Sequence, residues 1–270
     1  MTGLHAVLLG IVQGLTEFLP ISSSGHLIIL PSLLGWGQQE LVFDTVLHLG
    51  TAAALMVFFW IDLYIIFTNL LKDVLAGKSK VSKFSDYGKL GIYILVGSIP
   101  AGIIGLLLDN FIESRLRGVS AVAAFLLLGS VLMFVAERFS RYFAQVLTMK
   151  KSLIIGLFQA LALFPGISRS GSTISAGMLS GLSREEAARF SFLLSVPIVV
   201  TAAAFKVVDS FAQLQQLDGL TLILGFISSF AVGWLSIKFL LEFLKKHSLY
   251  WFVGYRIALA IVLLAIGVGR

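Results

Sequence analysis

The sequence predicts an all-α polytopic membrane protein built as an inverted repeat, each half a re-entrant helical hairpin plus three transmembrane helices. Three observations lead there. Of 270 residues, 58% are hydrophobic and 13% charged, against roughly 45–50% apolar and about 25% charged in soluble domains. Six stretches are long and apolar enough to cross a bilayer. Two further apolar stretches are each broken by a polar turn, and these two resemble each other.

The composition also excludes other classes. So hydrophobic a chain is not disordered. It contains no cysteine, which removes disulfides, zinc–thiolate sites and thiol nucleophiles. A formal net charge of +6 would suggest nucleic acid in a soluble domain. Here it reads as the Lys and Arg of loops on one membrane face, so the expected partners are membrane lipids and no nucleic acid. The opening residues do not read as a cleavable signal: no Lys or Arg precedes the first apolar run, and Gln13 and Glu17 interrupt it.

In chain order, residues 4–35 form an apolar stretch broken at 20–25, and spans follow at 46–68, 90–108 and 119–136. A second broken stretch runs over 152–182, with its break at 165–171, followed by spans at 190–208, 220–237 and 249–268. A span needs roughly 20 apolar residues. Each half of a broken stretch is too short for that, so each pair is expected to dip into the membrane and return on the same side. The two hairpins align at an offset of 146 without a gap: Gly10, Gln13, Leu15, Phe18, Ile21, Ser22, Ser24 and Gly25 recur as Gly156, Gln159, Leu161, Phe164, Ile167, Ser168, Ser170 and Gly171.

One integral membrane domain over 1–270 is therefore expected, with a first repeat over 1–136 and a second over 152–268. A hairpin plus three spans crosses the bilayer an odd number of times, so the second half lies upside down relative to the first. Broken helices in such repeats meet near the midplane and carry the binding site. Fourteen of the 20 Lys and Arg fall on the face reached after the first span. That face is expected to be cytoplasmic, with both termini outside.

Irregular backbone at membrane depth is tolerated where it is buried in protein or lines a wet cavity, so the breaks are the candidate site. The first carries Ser22, Ser23, Ser24 and His26; the second carries Ser168, Arg169, Ser170 and Thr173. Each is a hydroxyl-rich turn feeding a helix N-terminus, where N–H groups and the dipole favour an anion. Arg169 adds a planar, permanently charged donor suited to phosphate. Glu17, one helical turn after Gln13, costs about 2.5–3.5 kcal/mol at that depth unless paired or solvated. It reads as an ion-pair partner of Arg169, as a ligand for a divalent cation, or as a base. His26 is a candidate general acid or base. Arg256 is expected to snorkel from the last span, and His48, Asp62 and Gln159 to serve packing or helix contacts.

These residues resemble the integral-membrane undecaprenyl-diphosphate phosphatases, the bacitracin-resistance proteins. The family's first motif is matched by Gln13 and Glu17 and by the Pro-x-Ser-Ser-x-Gly-His element at 20–26; its second, Pro-Gly-x-Ser-Arg-Ser-Gly-x-Thr, is matched at 165–173. The resemblance implies hydrolysis of undecaprenyl diphosphate to undecaprenyl phosphate and phosphate at the outer face of the bacterial cytoplasmic membrane. It implies Ser23 as nucleophile, Glu17 as motif carboxylate, His26 as motif histidine, Arg169 as phosphate binder, and a pocket lined by Ser168, Ser170 and Thr173, with Gln13, Ser22 and Ser24 beside them. It further implies a divalent cation, Mg or Ca, at Glu17, and it leaves room for a homo-oligomer. The alternative class is a transporter or flippase for a phosphorylated lipid, since inverted repeats with broken helices serve transport too.

Overall fold

The computed structural model describes residues 2–36, 41–116, 118–140, 146–215 and 217–266, and all regular structure among them is helical. Arg117, Arg141 and Arg270, used in sorting the charges, lie outside the described residues, as do positions 267 and 268 of the last expected span.

Four short helices build the two broken stretches. α1 (Gly3–Phe18) starts where the Thr2 side chain accepts from the His5 N–H, and stops because Pro20 forces Leu19 into extended backbone. α2 (Ser23–Leu34) opens at the Ser22 cap and ends at Gly35 in the left-handed region, φ 64°. α7 (Met149–Leu161) is capped by Thr148, and α8 (Arg169–Leu179) by Ser168. With 16, 12, 13 and 11 residues, they are about 16–24 Å long, short of the roughly 30 Å hydrocarbon core.

Long helices surround them. α5 (Asp86–Arg115), α6 (Val119–Phe139), α9 (Arg184–Asp209) and α11 (Gly219–Leu244) are each long and apolar enough to cross a membrane. α5 and α9 start ahead of the expected spans at 90 and 190. Ser85 caps the first, and a capping box of Ser183 and Glu186 starts the second. A single turn, α10 (Phe211–Leu214), follows α9, and α12 (Tyr250–Ile266) closes the described chain.

The expected span at 46–68 is not one straight helix. α3 (Leu41–Phe58) and α4 (Trp60–Leu75) meet at a bend of 71°. Neither proline nor glycine lies there, so tertiary packing makes the bend. Phe59, fully buried, packs on Phe58 and Phe192, with the Arg189 guanidinium over its ring. Arg189 also pairs with Asp62 at the start of α4, which gives Asp62 an ion-pair role across to α9.

Packing repeats along with sequence. α1 lies against α11 as α7 lies against α5, while α3 meets α9 and α6 meets α12. The paired glycines have one cause: a Cβ at Gly156 would sit 2.0 Å from the Gly97 carbonyl oxygen of α5, and one at Gly10 would sit 1.9 Å from Ser228 Oγ of α11. Both half-helices thus approach a long helix more closely than any side chain permits. This arrangement is compatible with two repeats related by a pseudo-two-fold axis. Apolar side chains such as Ile61, Leu106 and Val208 face outward, the surface a lipid-embedded protein presents.

Candidate active site

Two turns face each other at the centre of the fold. Ser22 and Ser168 cap α2 and α8 with φ of 75° and 76°, the only non-glycine residues with positive φ among those described. Such backbone costs about 1–3 kcal/mol and persists only where its surroundings hold it. Here the hydroxyls do part of this. Ser22 Oγ accepts from the Gly25 N–H at 3.4 Å, and Ser168 Oγ from the Gly171 N–H at 3.2 Å. The breaks are also tied together: the Gly166 N–H donates to Ser22 Oγ at 3.1 Å, and Ser170 Oγ donates to the Leu19 carbonyl at 3.2 Å.

Arg256 completes the tie, and here the expectation of a snorkelling side chain is overturned. Its side chain is fully buried and turns inward from α12. Nη1 donates to the Pro20 carbonyl at 3.2 Å, Nη2 to the carbonyls of Gly166 and Leu126 at 2.8 and 3.0 Å, and Nε to Ser130 Oγ at 3.1 Å. One guanidinium thus satisfies carbonyls that each break left without a helical partner.

The residue after each positive-φ cap points to the same place. In the first repeat it is Ser23, in the second Arg169. Ser23 Oγ donates to Glu17 Oε2 at 2.6 Å, and Arg169 Nη2 to Glu17 Oε1 at 3.1 Å. Gln13 Nε2 reaches Oε2 at 3.1 Å. His48, expected as a packing residue, sits with Nε2 3.9 Å from the same oxygen. Two polar atoms at this cluster are buried without a partner: Arg169 Nη1 and Gln13 Oε1. An unpaired buried donor is expensive, and an anion's oxygen would satisfy Nη1.

A cavity of about 300 Å³ opens onto this cluster. Its polar floor is Glu17, Ser22, Ser23, Ser24, Ser168 and Arg169, with His48 and Lys206 on the walls; Leu27, Ile28, Ile198 and Val199 supply an apolar side. A charged head group with an apolar tail fits such a lining. The expected site residues divide accordingly. Glu17, Ser23 and Arg169 come together at the floor. Thr173 Oγ1 instead bonds the Arg169 carbonyl and the Ser191 hydroxyl, at the contact of α8 with α9. His26 is not among the cavity's lining residues: Nδ1 lies 2.7 Å from the Ser22 carbonyl oxygen and Nε2 2.7 Å from the Tyr255 hydroxyl. Both ring nitrogens are thus occupied, so the expected acid or base sits behind the turn.

No group of three or more His, Cys, Asp or Glu able to hold a metal occurs among the described residues. Two carboxylates, Glu17 and Asp44, line the cavity, and Gln13 Oε1 beside Glu17 is buried without a partner. That set fits magnesium, which commonly takes one or two carboxylates and completes its shell with substrate phosphates and water.

The profile of the bacitracin resistance protein BacA family matches residues 6–262. The chain belongs to that family. Undecaprenyl-diphosphatase of Mycolicibacterium smegmatis is 42% identical over 98% of this chain and 97% of its own length. The proteins of the same name from Geotalea daltonii and Chromohalobacter salexigens are 43% and 44% identical, the first over 94% of both chains and the second over 98% of both. Against the BacA-family motifs, sequence reasoning missed Arg256, His48 and Tyr255 as neighbours of the site. The one available signal was an arginine deep in an apolar span, which more often marks function than it snorkels.

Proposed function

We propose that this chain is an integral-membrane phosphatase that hydrolyses undecaprenyl diphosphate to undecaprenyl phosphate and inorganic phosphate, recycling the lipid carrier of cell-wall synthesis. The observation that carries the reading is Ser23 Oγ, 2.6 Å from Glu17 and beside Arg169 on the floor of one cavity. A hydroxyl paired with a carboxylate base is an activated nucleophile, and a cation next to it meets the charge of the phosphoryl group in transfer.

In this reading the diphosphate enters the cavity while the prenyl chain lies along the apolar side and in lipid. Arg169 Nη1 and the N-terminus of α8 bind the terminal phosphoryl group. Ser23 Oγ attacks the terminal phosphorus and gives its proton to Glu17 Oε2. The bond from phosphorus to the bridging oxygen breaks, and undecaprenyl phosphate leaves with that electron pair. Glu17 returns the proton to the leaving oxygen, then takes one from the water that attacks phosphoserine 23; the bond from phosphorus to Ser23 Oγ breaks, Glu17 gives that proton to Ser23 Oγ, and phosphate departs. A magnesium or calcium ion held by Glu17 and Gln13 would neutralise charge on the diphosphate. The site would open to the outer face of the bacterial cytoplasmic membrane, with both termini outside, as the distribution of Lys and Arg favours.

Phosphate release by purified protein in detergent, with and without a chelator, tests this. Turnover lost on substituting Glu17 or Arg169 by alanine is the expected result. A lipid flippase would release no phosphate at all.

A further inference from the structure

His26 holds a carbonyl instead of facing the cavity, and what fixes the imidazole in that pose is a residue of α12. The Ser22 carbonyl can only accept, so His26 Nδ1, at 2.7 Å, must donate. A neutral imidazole then offers a lone pair at Nε2, so the Tyr255 hydroxyl, also at 2.7 Å, must donate to it. The two rings lie nearly parallel, 9° apart. From these contacts we infer that Tyr255 is a positioning residue: by donating to His26 it sets the tautomer that grips the Ser22 carbonyl, and so holds the turn that presents Ser23.

The second repeat holds the corresponding carbonyl in the same way, with a side chain added to the backbone N–H bond that each carbonyl receives, from His26 to Ser22 at 3.2 Å and from Ser172 to Ser168 at 3.0 Å. The residue 146 positions after His26 is Ser172, and its Oγ donates at 2.9 Å to the carbonyl of Ser168, the other positive-φ cap. The same position in each repeat thus clamps the same strained carbonyl. A hydroxyl rotates its proton to suit, whereas an imidazole has to be told which nitrogen carries the proton. Tyr255 does this in the first repeat, and the next residue along, Arg256, holds the Pro20 carbonyl on the other side of the break. Without the Tyr255 hydroxyl, the Nε2–H tautomer is free to form, and it turns a lone pair toward the Ser22 oxygen.

The inference rests on hydrolysis at Ser23 as proposed above, and two readouts separate the two claims. The first is kinetic. Tyr255→Phe should lower kcat about tenfold with KM within about twofold, the worth of one hydrogen bond spent on alignment. His26→Asn places an amide N–H where Nδ1 stood and needs no tautomer set. In that background, adding Tyr255→Phe should change kcat less than about twofold. A general loss of folding would persist in both backgrounds. The second readout needs no turnover: nitrogen chemical shifts of labelled His26 should report the Nδ1–H tautomer in the wild type and a mixture in Tyr255→Phe. Wild-type kcat in Tyr255→Phe, the same loss in both backgrounds, or an unchanged tautomer would overturn the inference. A wild type that releases no phosphate while the shifts behave as stated would sink the phosphatase reading and leave the tautomer assignment standing.

Discussion

Ser23 Oγ and Glu17 Oε2 lie 2.6 Å apart although they sit on different helices, and the turn at 20–22 folds the second helix back so that they meet. Glu17 is thereby shared between a hydroxyl and the Arg169 guanidinium, which arrives from the other repeat. Ser23→Ala and Glu17→Gln are each expected to reduce kcat on the order of a thousandfold or more, the scale on which a nucleophile and its base act as a unit. The double variant should be little worse than either single one. Additive losses in steady-state phosphate release would show that the two residues do not act as a unit.

Arg169 also separates geometry from charge. Its Nη1 is buried without a partner, while Nη2 holds Glu17. Arg169→Lys keeps the charge but not the planar fork. Loss of about 10²–10³ in kcat/KM is expected for the lysine variant, by analogy with removing one preorganised donor. Near-normal kinetics in Arg169→Lys would mean that a point charge suffices.

Arg256 should matter for folding as well as for activity. Its guanidinium serves the carbonyls of Pro20, Leu126 and Gly166; a methionine in its place takes the donor from Pro20 and Gly166, while Leu126 keeps the Ser130 hydroxyl. Arg256→Met is expected to cost on the order of 3 kcal/mol or more. Thermal unfolding in detergent would show it, together with reduced phosphate release. A variant that melts like the wild type would contradict the tie between the breaks.

The contact of α5 with α7 is set by backbone. Gly156→Ala puts a methyl 2.0 Å from the Gly97 carbonyl oxygen, and backbone has little room to yield. A loss of about 1–3 kcal/mol is expected for such overpacking, read as a lower melting temperature, whereas alanine at Gly118, whose Cβ meets nothing within 4 Å, should have little effect.

Asp218, before α11, gives a pH dependence. Its carboxylate accepts from Thr221 Oγ1 at 2.8 Å and from the Thr221 N–H at 2.9 Å, and these bonds, the side-chain one first, hold it below its ordinary value of 3.8. A carboxyl with a depressed folded-state pKa stabilises above its ordinary range and loses that stabilisation as pH falls through the lowered value. Asp218→Ala should therefore melt below the wild type at pH 7, with the gap closing in acid below the ordinary carboxylate range. A gap that stays constant into acid would contradict the assignment.

Much of this site was legible because its residues are neighbours in sequence. The paired turns, with Ser23 after one cap and Arg169 after the other, show in the repeat at an offset of 146, and Glu17 stands out as a carboxylate at membrane depth. What was not legible depends on contacts distant in sequence. Arg256 finds carbonyls 236, 130 and 90 positions away, and an apolar pattern around an arginine does not say whether it turns inward. The bend at Phe59 carries no local signal, since it is made by Phe192 and Arg189 of α9. His26 reads from the sequence as a candidate acid or base, yet its ring nitrogens meet the Ser22 carbonyl and the Tyr255 hydroxyl; hydroxyls and imidazoles in a motif do not reveal which of them face the cavity.

The central claim, that Ser23 is the nucleophile of a phosphatase, is tested most directly by acid-quenching the purified protein during turnover of undecaprenyl diphosphate labelled in its terminal phosphate, then mapping the label. The account predicts label on Ser23 in the wild type and none in Ser23→Ala, which also fails to release phosphate. Turnover by both proteins with no label ever on Ser23 would contradict it.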